Sequence, residues 1–188
     1  MKPATKTSVA NPSEVAQLKG LYHFAYPCRD AEETRHFYED ILGVPLVNCM
    51  LSDEVPSTGE KAPYAHFFFE LGDGSYIAFF DLGSDEKPAP SPNTPGWVQH
   101  FAMETDSVAS VLRMHARLKS FGVEVLGPVD HGFVRSIYFF DPNGLRLEIA
   151  ARTEAPGFLE KAKAEAHDQL QDWSRRKAQL LKKRSTGA

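Results

Sequence analysis

Three residues of this 188-residue chain have the types needed to hold a divalent cation: His23, His100 and Glu148. The two histidines share a context, because the tripeptide His-Phe-Ala occurs twice: as His23–Ala25 in "LYHFAYPC" and as His100–Ala102 in "WVQHFAMET". On a strand, His23 would share a face with Leu21 and Ala25, and His100 with Val98 and Ala102. Glu148 sits in "LRLEIA", on the face of Arg146 and Ala150. A carboxylate in so apolar a strand is costly unless it is paired or bound to a cation. One alternative is a surface pair between Glu148 and Arg146. Two neutral imidazoles and one carboxylate are also the set that holds a divalent metal on one face and leaves the opposite positions open for small ligands.

Local patterns supply elements to position these residues. "LYHFAYPC" reads as a strand, and "RDAEETRHFYEDILG" as a helix with Asp30 as N-cap and Gly43 as its end. "VPLVNCML" is a strand, and "YAHFFFEL", "GDG" and "SYIAFFDL" form a hairpin. A break rich in proline follows, "GSDEKPAPSPNTPG". The order then recurs. "WVQHFAMET" is a strand. "DSVASVLRMHARLKSFG" is a helix with Val108, Val111, Leu112 and Leu118 on one face. "VEVLGPV" is a strand, and "VRSIYFFD", "PNG" and "LRLEIAAR" form a second hairpin.

Tandem repetition of a βαβββ unit is the organising feature of the chain. It predicts an α+β fold of two modules whose curved sheets enclose a metal-binding cleft, plus a C-terminal helix. The expected boundaries are a polar leader over 1–19, a core over 20–152 and an amphipathic helix with a basic tail over 153–188. Within the core, module 1 spans 20–83, a linker 84–96 and module 2 97–152. In the tail Leu159, Ala162, Ala166, Leu170, Trp173 and Leu180 recur at helical spacing, a face for the domain or a partner subunit.

The repeat also tests the ligand set. Gly74 and Gly144 close equivalent hairpin turns. Glu148 lies four residues beyond Gly144, and the matching position beyond Gly74 is Ala78, which cannot bind a metal. Three protein ligands rather than four are therefore expected, as in an open catalytic site.

Composition bounds the partners. Hydrophobic residues make up 42% of the chain and charged residues 24%, as in ordinary globular proteins. A net charge of −4 offers no reason to expect nucleic acid or a membrane surface. No apolar run is long enough to span a bilayer. Two cysteines, no CxxC pair and a polar N-terminus predict a cytoplasmic protein.

The tandem modules with His23, His100 and Glu148 resemble the vicinal oxygen chelate superfamily, which includes glyoxalase I, fosfomycin-resistance thiol transferases, bleomycin-binding proteins and type I extradiol dioxygenases. Residues 129–148, "VDHGFVRSIYFFDPNGLRLE", are similar to the extradiol signature, with His131 at its histidine, Tyr138 at its tyrosine, "DPNG" at its turn and Glu148 at its terminal ligand. That resemblance implies a single-domain extradiol enzyme. Fe(II), with Mn(II), Zn(II) or Ni(II) as alternatives, would be held by His23, His100 and Glu148, and a catechol-like diol and O₂ would be the substrates. His131 would hydrogen-bond the bound reactants, and Tyr138 would donate to the substrate oxygen.

The chain departs from the family where it carries "DGSYIAFF", with Ser75 or Tyr76 in place of an acid–base histidine in module 1. His66, on the neighbouring strand, is the candidate replacement. A homodimer is the expected assembly. The second reading is another metal enzyme of the superfamily, a glyoxalase-like isomerase, a lyase or a thiol transferase. The third is a small-molecule binding protein, against which the presence of all three ligand residues argues.

Overall fold

The computed structural model describes residues 20–84, 86–88 and 94–186, and of residues 174, 176–181 and 183–186 the backbone alone. The leader over 1–19, residues 85 and 89–93 of the linker, and the side chain of Leu180 lie outside the described residues. The chain divides into two compact units, meeting in sequence at Pro88 and Ala89.

In the first unit the strands are β1 (His23–Cys28), β2 (Leu46–Ser52), β3 (Tyr64–Glu70) and β4 (Tyr76–Asp81), in the sheet order β1-β4-β3-β2. β1 runs parallel to β4, and the other pairs are antiparallel. Between β1 and β2, α1 (Ala31–Arg35) continues into a π-helical segment, His36–Leu42. Asp30 caps α1 by accepting from the Glu33 N–H at 2.7 Å, and the Asp81 carboxylate accepts from Ala31 N–H at 2.9 Å. Both anions suit the positive end of a helix.

The π turn is a finding that helical periodicity did not predict. It brings residues five apart onto one line, and Arg35 reaches Asp40 at 2.9 Å while also binding Glu39 at 2.9 Å and Glu32 at 2.7 Å. Arg35, with His36 second, holds the Asp40 carboxyl down at about 2.

The second unit repeats the plan. Its strands are β5 (Phe101–Glu104), β6 (Leu126–Asp130), β7 (Val134–Phe140) and β8 (Arg146–Arg152), in the order β5-β8-β7-β6, with α2 (Val108–Ser120) after β5. α3 (Phe158–Thr186) completes the chain. The fold is therefore α+β, two βαβββ modules and a C-terminal helix. No helix of the described residues is long and apolar enough to cross a membrane.

Each sheet has one face packed on its helix. In the first unit Tyr38 is fully buried against Phe69 and Phe79, with ring centroids at 5.1 and 5.0 Å. In the second, Val111 and Leu118 of α2 are buried together with Ile137, Phe139 and Leu147. Burying each such side chain contributes about 1.5–3 kcal/mol. Leu112, expected on the buried face of α2, is 47% exposed. It follows Val111 directly, and one step turns a helical side chain by about 100° away from the core.

The "DPNG" turn has a structural cause. Asp141 is buried, and its Oδ1 accepts from Asn143 N–H at 2.9 Å and Leu145 N–H at 2.8 Å. In "GDGS" Asp73 does the same work, accepting from Ser75 N–H at 3.0 Å.

Candidate metal and catalytic site

Alternation along the strands presents the chemistry-bearing residues on the sheet face turned away from the helix. In the second unit Glu148 stands opposite Tyr138 on β7 and opposite Ala102 on β5. Its side chain is 8% exposed, and Oε2 lies 3.1 Å from His100 Nε2. The surface pair between Glu148 and Arg146 does not form. Arg146 turns to the other side, placing its guanidinium 4.3 Å from the centre of the Tyr138 ring and donating to the Trp97 carbonyl at 2.7 Å.

His100 itself is not on the strand, which begins at Phe101. It follows a turn in which Val98 N–H donates to the Pro95 carbonyl at 2.9 Å. The face expected to be shared with Val98 is replaced by a hydrogen bond, because His100 Nδ1 lies 3.2 Å from the Val98 carbonyl oxygen. A carbonyl only accepts, so Nδ1 carries the hydrogen, and in the neutral ring Nε2 turns its lone pair toward Glu148.

Tyr138 and His131 also come together, with the phenol oxygen 2.7 Å from His131 Nε2. Burial first, and the Glu148 charge second, push the Tyr138 pKa up. The hydroxyl therefore keeps its proton at neutral pH and remains a donor.

In the first unit His23 and His66 are neighbours on the corresponding face, with ring centroids 6.0 Å apart. His66 is buried, stacks on Phe80 at 3.7 Å and lies 3.0 Å from the Phe79 carbonyl oxygen through Nδ1. That carbonyl assigns the hydrogen to Nδ1 and leaves Nε2 as an acceptor. Burial, and then the positive charge His23 can carry, lower the His66 pKa below its ordinary value. A neutral imidazole with a free lone pair results.

The strand registers support the repeat argument position by position. Ala25 faces Ala78 as Ala102 faces Glu148, Phe68 faces Ala78 as Tyr138 faces Glu148, and His66 faces Phe80 as Ser136 faces Ala150. Ala78 thus occupies the equivalent of the Glu148 position. Of the phenylalanines on the two hairpins, Phe67, Phe69, Phe79 and Phe139 are core, Phe68 and Phe80 flank His66, and Phe140 is 55% exposed.

Among the described residues no three His, Cys, Asp or Glu side chains gather as a metal-holding group. The contacts form in pairs: His100 with Glu148 and His131 with Tyr138 in one unit, and His23 with His66 in the other. Reading the sequence missed the role of Arg146. The available signal was its alternation with Glu148 on β8, which puts both on the Tyr138 face.

The profile of the Glyoxalase/Bleomycin resistance protein/Dioxygenase superfamily matches residues 20–149. The chain belongs to this superfamily. Biphenyl-2,3-diol 1,2-dioxygenase 3 of Rhodococcus globerulus is 24% identical over 129 residues, which are 69% of this chain and 61% of that protein. A solved glyoxalase/dioxygenase from Nostoc punctiforme shares 25% identity at a TM-score of 0.55, over 79% of this chain and 99% of its own. Fosfomycin resistance protein FosX from Mesorhizobium loti shares the fold at 24% identity and a TM-score of 0.52, over 78% and 99%.

Members of this superfamily often hold a metal, and the donors of the second unit fit one. His100 Nε2 and Glu148 Oε2 are both acceptors facing each other across 3.1 Å, an arrangement that needs a cation or a proton between them. Two donors about 2.1 Å from one ion and at a right angle stand about 3.0 Å apart. The Val98 carbonyl holding Nδ1 is the outer hydrogen bond that orients a ligating histidine.

Proposed function

We propose that this chain is an Fe(II)-dependent dioxygenase of the extradiol type, opening a catechol-like aromatic diol with O₂. The observation that carries the reading is the cluster on one sheet face: the His100–Glu148 pair beside a protonated tyrosine that is hydrogen-bonded to His131. The similarity to a biphenyl-diol dioxygenase supports the same reaction class. In this reading His23, His100 and Glu148 are the three metal ligands, and the enzyme works as a homodimer in the cytoplasm. When bound, the ion would lower the pKa of the diol and bring both substrates together.

The chain's own groups then divide the proton work. His66, neutral and with Nε2 free, takes a proton from the diol, the role for which Ser75 and Tyr76 are unsuited. Ser75 is committed to its turn, with its hydroxyl donating to Asp73 at 2.6 Å. Tyr138 donates its O–H to a substrate oxygen, and His131 holds the phenol in place. Arg146, lying on the Tyr138 ring, restricts that ring from its other side.

Anaerobic purification followed by metal analysis tests the proposal. Stoichiometric iron, O₂ uptake with a catechol and a yellow ring-fission product are expected. Zinc or nickel with no O₂ uptake would favour the second reading, an isomerase, lyase or thiol transferase of the same superfamily. Failure to bind any metal would refute both. His66→Ala should lower turnover by about 10²–10⁴-fold, and full activity in that variant would remove His66 from the mechanism.

A further inference from the structure

Beyond Glu148 along β8, the same sheet face opens into a cleft of about 310 Å³. Its floor is Ala102 and Ala150, and its walls are Phe133, Phe158 and Leu159. All of these residues belong to the second unit. Phe158 and Leu159 open α3 and lie outside the stretch matched by the superfamily profile, which ends at residue 149. This part of the wall is carried by the C-terminal helix.

Ala102 is the direct cross-strand partner of Glu148, and Ala150 is the next residue of β8 on the same face. Two strand residues span roughly 7 Å, about the reach of a substituent on an aromatic ring held at Glu148. Small side chains at both floor positions leave that path clear. Two of the wall residues are aromatic and packed on each other: the Phe133 and Phe158 rings stack at 5.3 Å and 13°. Phe133, Phe158 and Leu159 nevertheless remain 43%, 38% and 51% exposed. An apolar occupant would remove that surface from water, and a gathering of exposed apolar side chains marks a binding surface.

The charged residues at the rim ask for no ionic partner. Arg152 is bound to Glu104 at 2.9 Å and to Glu154 at 3.0 Å. The volume stands at the small end of ligand clefts, roughly 300–1,000 Å³, and suits one ring or a short alkyl chain.

We infer that this cleft is a specificity pocket for the apolar substituent of the substrate, so that the preferred diol carries an aryl or alkyl arm and the start of α3 selects it. The inference rests on the dioxygenase reading for the identity of the diol end.

The test is calorimetric titration, without O₂, of Mn(II)-loaded full-length protein with catechol, 3-methylcatechol and 3-phenylcatechol. 3-Phenylphenol, which cannot chelate, serves as a fourth probe. In the unaltered chain 3-phenylcatechol should bind tighter than catechol by roughly tenfold or more. Phe158→Ala should remove most of that advantage while leaving catechol binding unchanged. Ala150→Leu, which fills the floor, should do the same, and melting curves establish that both variants fold. Catechol binding with no preference for the phenyl arm, or a preference that survives both variants, overturns the pocket and leaves the dioxygenase reading standing. If no catechol binds, the dioxygenase reading fails. The pocket is then judged on 3-phenylphenol, whose binding must weaken in Phe158→Ala, and absence of that binding refutes it.

Discussion

Replacing Glu148 by glutamine separates a metal ligand from a structural ion pair. The side chain is 8% exposed, and its oxygen lies 3.1 Å from His100 Nε2. Suppose first that the contact is a structural pair between an imidazolium and a carboxylate. Glu148 is buried but the His100 side chain is 34% exposed, so breaking the pair costs about 1–3 kcal/mol, between the values for exposed and buried pairs. At about 2–4 °C per kcal/mol for a chain of this size, the melting temperature would fall by about 2–12 °C. Suppose instead that the two groups are ligands. With His100 Nδ1 held by the Val98 carbonyl, Nε2 accepts from the amide that the substitution introduces, and the metal-free variant loses less than about 1 kcal/mol.

The metal then supplies the discriminating signal. At a free concentration 100 times its dissociation constant it stabilises the unaltered chain by about 2.7 kcal/mol, a rise of about 5–11 °C. Glu148→Gln should abolish that rise. Differential scanning calorimetry with and without Mn(II), an O₂-stable stand-in for Fe(II), reads both numbers. The ligand assignment is refuted if the unaltered chain shows no metal-dependent rise, or if the rise survives in Glu148→Gln.

Other expectations follow from the same structure. Tyr138→Phe should lower turnover by about 10²-fold or more with a near-normal melting temperature, because the phenol is placed as a donor; unchanged kcat would remove that role. Asp40→Asn should lower the melting temperature at neutral pH. Because the folded carboxyl is depressed from 3.8 to about 2, its contribution is present above 3.8 and is lost as pH falls toward 2. The two melting curves should therefore converge at low pH, and also at high salt, since the group is exposed; a gap that persists in acid would contradict the Arg35 network. Gly127→Ala should cost about 2 kcal/mol or more in chemical denaturation. Gly127 has φ of 111°, and an added Cβ would sit 2.8 Å from the Ser136 carbonyl oxygen; a neutral result would show that β6 relaxes freely.

Much of the fold is written locally in the sequence. Strand alternation, the Asp30 cap, the glycine at position 43 and the Asp141 turn act over a few residues, so the repeat and the order of its elements are legible. The types of His23, His100 and Glu148, and the silence of Ala78, are likewise set by composition at repeated positions. The tertiary structure decided which side chains meet. Glu148 turns to His100, 48 positions away in sequence, and Arg146 to Trp97, 49 positions away. The parallel pairing of β5 with β8 sets those meetings, and no local periodicity encodes it. The same holds for the π turn, for the carbonyls that assign the His66 and His100 tautomers, and for Phe158, whose helix periodicity says nothing of the Phe133 ring it stacks upon. Periodicity chooses the face of a strand, and only long-range packing chooses the partner across it.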